Sequence, residues 1–326
     1  MTARRSVNMY FAAAVLALGA GILPLLAQQY PIRPIHLMVP FAAAGTPDVV
    51  ARIVADAIEK PLGQSVVVED RPGANGIIGM QDVAVATPDG YTIMLTPPAF
   101  VINPYVYKTL PFDISRDFAP VANIGISYGY LVIVRPSLPV RSITELIDYA
   151  KSHRVLYGSP GVGNTLHLTA AYFGAKAGID ANMENVVFRD MGPMSTALIA
   201  GTIDLVFESP ASAIVLLNSG MRPIGFTGTA PSPDYPNVPL VKDSLPRFEI
   251  AGSWEIMLAP AKIPLDIVAR LNKEVRAAVK IPAVRRGIEQ AGYEPTDMSP
   301  SEVGAYLRDE TQRYAEAVKA AKIEPQ

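Results

Sequence analysis

The 326-residue sequence predicts an α/β fold of two lobes, each a mostly parallel sheet covered by helices on both faces. Three observations carry that expectation. Apolar runs of strand length alternate with amphipathic runs of helix length along almost the whole chain, the rhythm of βαβ units. Once an N-terminal export segment is set aside, roughly 300 residues remain, enough for two cores. Finally, a strand that ends in small residues and feeds a helix occurs twice, at residues 39–48 and 157–165. Each such turn aims first-turn N–H groups and the positive end of a helix dipole into one space. Two copies suggest two lobes that grip one anion between them.

The elements follow in order. Arg4 and Arg5 precede an apolar run over 9–27 and then polar Gln28-Gln29-Tyr30, the order of a secretory signal with Leu25-Leu26-Ala27 as the cut. Gly19, Gly21 and Pro24 set it apart from a membrane anchor, so residues 1–27 are expected to be removed on export to the periplasm. Strands are expected over 35–41, 65–69, 92–95 and 121–125, with helices over 47–62 and 79–86 between them. Residues 126–130 read as a passage to the second lobe, which opens with a strand over 131–134. A helix over 142–152 follows, with Ser142 and Glu145 spaced as a capping box. Strands over 155–157, 185–188, 203–207 and 223–227 alternate with helices over 165–177 and 193–200. Residues 248–258 carry the chain back, and helices over 264–279, 282–291 and 300–321 each open near a proline. The expected division is residues 28–126 with 252–326 for the first lobe and 127–251 for the second.

Composition excludes several functions. With 0 Cys there is neither a disulfide framework nor a thiol nucleophile. The 28 basic and 30 acidic residues leave a net charge of -2 with no Lys/Arg run, which argues against nucleic acid as a partner. His36, His153 and His167 have no metal-ligand spacing, and neither a metal nor a cofactor is expected. Gly158…Gly163-Asn164-Thr165 imitates a phosphate loop, but Asn164 stands where that loop needs its lysine. The same turn without the cation suits a singly charged carboxylate. The alternative from another class is an exported hydrolase using Ser159, which has no G-x-S-x-G elbow and no evident base.

The candidate site gathers around the two turns. In the first, Phe41, Ala43, Ala44 and Gly45 lead to Thr46 as N-cap, Pro47 as first helical residue and Asp48 where a carboxylate suits the dipole. In the second, Ser159, Asn164 and Thr165 add side-chain donors to the Gly161 and Gly163 backbone. His167, in the next turn, fits an orienting or packing role better than a ligand contact. Segments that follow strands reach a cleft in open α/β sheets. They bring in Thr96 and Phe100 from the first lobe, and Arg189, Asp190, Met191, Glu208 and Ser209 from the second. Arg189 offers a fork for a distal carboxylate, whereas Glu208 repels one unless it meets an amine or hydroxyl of the ligand. Phe100, Tyr128, Tyr130 and Met191 would suit a flat apolar body.

Motifs in order along the chain then resemble a known family. They include Tyr30-Pro31-Ile32-Arg33-Pro34, Val39-Pro40-Phe41, Gly63-Gln64-Ser65-Val66-Val67-Val68-Glu69-Asp70-Arg71-Pro72-Gly73-Ala74, Pro88-Asp89-Gly90-Tyr91-Thr92 and Asp117-Phe118-Ala119-Pro120-Val121. Tyr157-Gly158-Ser159, Gly201…Asp204…Phe207, Ser253-Trp254, Ala259-Pro260 and Leu271-Asn272 complete the set. The chain is similar to the periplasmic solute-binding proteins of tripartite tricarboxylate transporters, the TctC or Bug receptors. That resemblance implies a type II, Venus-flytrap periplasmic-binding-protein fold that closes as a monomer on a small carboxylate. It also implies delivery to membrane permease subunits, an orphan receptor feeding a sensor kinase being the variant. Ala43 and Ala44 replace the Pro and first Gly of the family's usual Pro-Gly-Gly, so the loop path is expected to differ.

Overall fold

The computed structural model describes residues 30–325 apart from Glu249, Ala251 and Ala321, so the expected export segment lies outside the described residues. The first lobe runs β1 (Ile35–Val39), α1 (Thr46–Leu62), β2 (Val66–Asp70), a 3-10 turn at Ala74–Gly76, α2 (Ile77–Ala84), β3 (Thr92–Thr96), α3 (Ala99–Val106) and β4 (Phe118–Ser127). The second runs β5 (Leu131–Val134), α4 (Ile143–Ala150), β6 (Val155–Ser159), α5 (Thr165–Ala177), β7 (Met183–Val187), α6 (Met191–Ile199), β8 (Leu205–Glu208), α7 (Pro210–Asn218), β9 (Arg222–Phe226) and α8 (Val241–Ser244). β10 (Trp254–Pro260) then re-enters the first sheet, followed by α9 (Leu265–Ala278), α10 (Pro282–Gln290), β11 (Tyr293–Pro295) and α11 (Pro300–Ala320).

The strand orders are β11-β4-β10-β3-β1-β2 and β7-β6-β8-β5-β9. β1 pairs parallel with β2 and β3, and β6 parallel with β7 and β8. The remaining pairs are antiparallel, so the sheets are mixed where the alternating pattern predicts mostly parallel ones. The reason lies in the crossovers. The strand that first enters each lobe after a crossing, β5 or β10, is inserted between two strands running the other way. Both are buried along their whole length, as central strands covered on both faces require.

Local chemistry sets the element ends. Gly45, not Thr46, is the N-cap of α1, and Thr46 is already helical. At the other end Gly63 adopts a left-handed φ of 71° and its amide bonds back to the Glu59 and Lys60 carbonyls, a standard helix stop. Ser142 caps α4 by accepting from the Glu145 amide at 3.2 Å, but the Glu145 carboxylate accepts from the Arg141 amide, one residue before the expected partner. The crossing occupies only residues 128–130, because β4 continues to Ser127. The first crossover is tied to the end of β9: the Tyr130 amide donates to the Thr227 hydroxyl at 2.8 Å and the Thr227 amide to the Tyr130 carbonyl at 2.9 Å. Nearby, the Ser127 amide donates to the Ser253 carbonyl at 2.8 Å. Gly129, at φ 143°, lets two backbones touch, since a Cβ there would sit 2.6 Å from the Gly228 nitrogen. α11 packs on α3 and β4 of the first lobe and on α5 of the second, and just beyond it Lys322 pairs with Asp180 at 2.6 Å.

Candidate functional site

A cleft of about 680 Å³ lies between the lobes, and four helix starts open into it. From the first lobe come Gly45, Thr46 and Pro47 at the start of α1. From the second come Asn164, Thr165 and Leu166 at α5, Asp190, Met191 and Gly192 at α6, and Ser209 and Ser212 at α7. Each helix start leaves first-turn amides without an intrahelical acceptor and presents roughly half a positive charge. The side-chain caps are occupied locally: Asn164 accepts from the Leu166 amide, Asp190 from Gly192 and Ser209 from Ser212. Pro47 and Pro210 remove donors at two of the starts. Among the described lining residues Arg189 is the one cation, exposed to solvent, so positive field comes chiefly from the backbone.

The first turn is held from below. Ala44 takes a left-handed φ of 62°, strained for alanine, and its amide donates to Asp48 at 2.8 Å. Asp48 also pairs with Arg52 at 2.7 Å, and Arg52 reaches Asp70 at the end of β2 at 3.2 Å. The second turn uses His167 similarly. Its Nδ1 accepts from the Gly163 amide at 3.1 Å, and burial drives the ring down to about 4, keeping it neutral.

Where the crossovers meet the cleft, the chemistry changes sign. Ser127, Tyr130, Ser253, Glu255 and Tyr293 line it there, beside Glu208 from the end of β8. Burial pushes the Glu208 carboxyl up to about 8, only partly opposed by the Ser209 amide that donates to its Oε1 at 2.9 Å. Glu255, in the wholly buried β10, is lifted well above the carboxylate range by burial, although the Tyr293 hydroxyl donates to its Oε1 at 3.2 Å. Burial thus favours the protonated form of both, and a protonated carboxyl can donate a hydrogen bond.

Of the expected site residues, Phe41, Ala43, Ala44, Gly45, Thr46, Asn164, Thr165, Arg189, Asp190, Met191, Glu208 and Ser209 line the cleft. The others do not. Asp48 and His167 brace the turns from behind, and Gly163 supplies the amide that His167 accepts. Gly161, at φ 126°, shapes the loop without lining the cleft. Thr96 is fully buried and donates to the adjacent Pro97 carbonyl. Phe100 is core, edge-to-face on Phe118 at 5.1 Å, because Ala99–Val106 forms a helix that turns it inward. Ser159 is fully buried, does not line the cleft, and donates its hydroxyl to Asn185 at 2.8 Å. Tyr128 lies in a separate groove with Ile214, Tyr235 and Arg286. Sequence reasoning missed Ser127, Ser253, Glu255 and Tyr293. A single acid inside the apolar run Trp254–Pro260 was the available signal.

Comparison with known proteins places these features in context. The family model described as "Tripartite tricarboxylate transporter family receptor" matches residues 50–323. A relative described as "UPF0065 protein in tcbD-tcbE intergenic region", from a Pseudomonas species, is 31% identical over 89% of this chain and 86% of its own. The structure titled "R. palustris Rpa4515 with adipate" superposes with a TM-score of 0.81 at 31% identity, covering 91% of this chain and 100% of that one. MatC from Rhodopseudomonas palustris, with bound malate, gives a TM-score of 0.76 at 26% identity over 89% of this chain and 100% of that one.

Proposed function

The chain belongs to the tripartite tricarboxylate transporter receptor family, whose members bind solutes and are not enzymes, and from that premise we propose that it captures a small carboxylate between its lobes and hands it to membrane permease subunits of such a transporter. The observation that carries this reading is the convergence of four helix starts on a cleft with one cationic side chain. Backbone amides and dipole ends suit a carboxylate, which a lysine-free site holds by hydrogen bonds. The adipate and malate of the two Rhodopseudomonas structures support the ligand class. In this reading residues 1–27 direct export and are removed, and the mature chain acts in the periplasm as a monomer. Residues 28–126 with 252–326 close on 127–251 about the crossovers, burying the ligand and forming the surface the permease recognises.

A flat ring is favoured slightly over an aliphatic chain, since Phe41, Tyr130, Met191 and Tyr293 line the cleft in place of Phe100 and Tyr128. A thermal-shift screen over benzoate, succinate, adipate, malate and citrate tests both points. A bound acid at 100 times its Kd stabilises by about 2.7 kcal/mol, which raises Tm by several degrees. No shift with any acid at millimolar concentration would overturn the receptor reading for small carboxylates. Tighter binding of any aliphatic acid than of every aromatic one would remove only the ring preference.

A further inference from the structure

Glu208 and Glu255 reach one region of the cleft from different sheets. Glu208 pairs across β5 with Leu131, next to Tyr130, and Glu255 pairs across β4 with Gly125, near Ser127. Both push the Tyr130 hydroxyl upward in addition to its burial, so both carboxyls lie near it. Glu255 is 1% exposed, lines the cleft, and its Oε2 has no hydrogen-bond partner among the described residues. A buried polar atom left so costs on the order of 1–3 kcal/mol unless a ligand satisfies it. The other titratable groups lining the cleft with the pair are Tyr130 and Tyr293 from β11, both held neutral by burial, with Arg189 and Asp190 at the start of α6; Tyr314 from α11, likewise raised by burial, stands behind Tyr130. No described cation acts appreciably on either glutamate.

We infer that Glu208 and Glu255 form a subsite for a basic nitrogen, so that the preferred ligand carries a protonated amine at the end remote from its carboxylate. This rests on the cleft being the carboxylate site. A second carboxylate placed here would meet only the O–H donors of two protonated acids, which would have to stay protonated, with no cation among the described residues to offset its own buried charge. An ammonium lets one glutamic acid ionise: its O–H bond breaks, the electron pair stays on the carboxylate, the proton leaves to solvent, and the ammonium keeps its N–H donors. Desolvation, which holds the empty site uncharged, then strengthens the resulting ion pair, while the second glutamic acid and Tyr130 satisfy the remaining lone pairs.

Adipate and 6-aminohexanoate have the same chain length and differ at that end, so they make the test. Calorimetry on the mature protein near pH 7, in two buffers of different ionisation heat, is expected to show at least tenfold tighter binding of the amino acid. It should also show release of about one proton, because a carboxyl titrating near 8 becomes ionised. Glu208→Gln should shrink the affinity ratio below about threefold and abolish the release. Should the first variant fold poorly, Glu255→Gln is expected to shrink the affinity ratio while leaving the release by Glu208 in place, and the wild-type comparison decides on its own. Equal or tighter adipate binding, or no proton release, would overturn the inference. The receptor reading then stands if Thr165→Ala weakens adipate. Failure of every acid, amino or not, overturns both.

Discussion

At the scale of single residues, what distinguishes this cleft is that burial pushes its two enclosed acids, Glu208 and Glu255, toward their uncharged forms. The Glu208 carboxyl titrates at about 8 in the folded protein and near its ordinary value of 4.5 in the unfolded chain. Stability from this group is therefore full below about pH 4.5 and is lost as pH rises toward 8, at about 1.4 kcal/mol per unit. Glu208→Gln carries no such dependence. Calorimetric Tm values should show the variant gaining on the wild type between pH 5 and pH 8, by a few kcal/mol in total. Parallel curves for the two proteins would show that Glu208 is ionised after all. Residue identities were unevenly legible. Glu208 was marked from sequence because an acid after an apolar strand is conspicuous, but only burial in three dimensions decides its charge. Phe100 and Ser159 were misplaced because a sequence position after a strand does not say which way a side chain turns.

At the scale of elements, helix starts do the work, and two of the four were visible in advance. The turns into α1 and α5 announce themselves by glycines. Those into α6 and α7 have Asp190 and Ser209 as caps and no glycine ahead of them. α7 was missed outright, since Ala213-Ile214-Val215-Leu216-Leu217 fits a buried strand as well as a helix. The α5 start also touches the first lobe. Gly163 has φ 76°, and a Cβ there would lie 2.9 Å from Cγ2 of Val106 at the end of α3. Gly163→Ala should lose about 1–2 kcal/mol from the left-handed backbone alone. It should also weaken carboxylate binding by holding the α5 start away from α3. Urea denaturation and a ligand titration check the two effects, and an unchanged unfolding midpoint would contradict the packing described here.

At the scale of the whole molecule, two mixed sheets joined by paired crossovers and strapped by α11 create one cleft whose walls differ in character. Helix starts supply positive field, and the end where the crossovers meet the cleft supplies hydroxyls and, from β8 and β10, acids that burial pushes toward their neutral forms. The two-lobe α/β plan was legible because periodicity and turn chemistry are local. The antiparallel insertion of β5 and β10 was not, since strand order depends on where a returning chain finds an open pairing edge. The central claim is that the helix starts, through their backbone amides and the Thr165 hydroxyl, and not a cationic side chain, hold the ligand carboxylate. Its most direct test is calorimetric titration of the best-binding acid against the wild type, Thr165→Ala and Arg189→Ala. The account predicts roughly tenfold weaker binding for Thr165→Ala, on the scale of one hydrogen bond to a charged group, and a smaller loss for the exposed Arg189→Ala. Loss of binding in Arg189→Ala with no change in Thr165→Ala would contradict it.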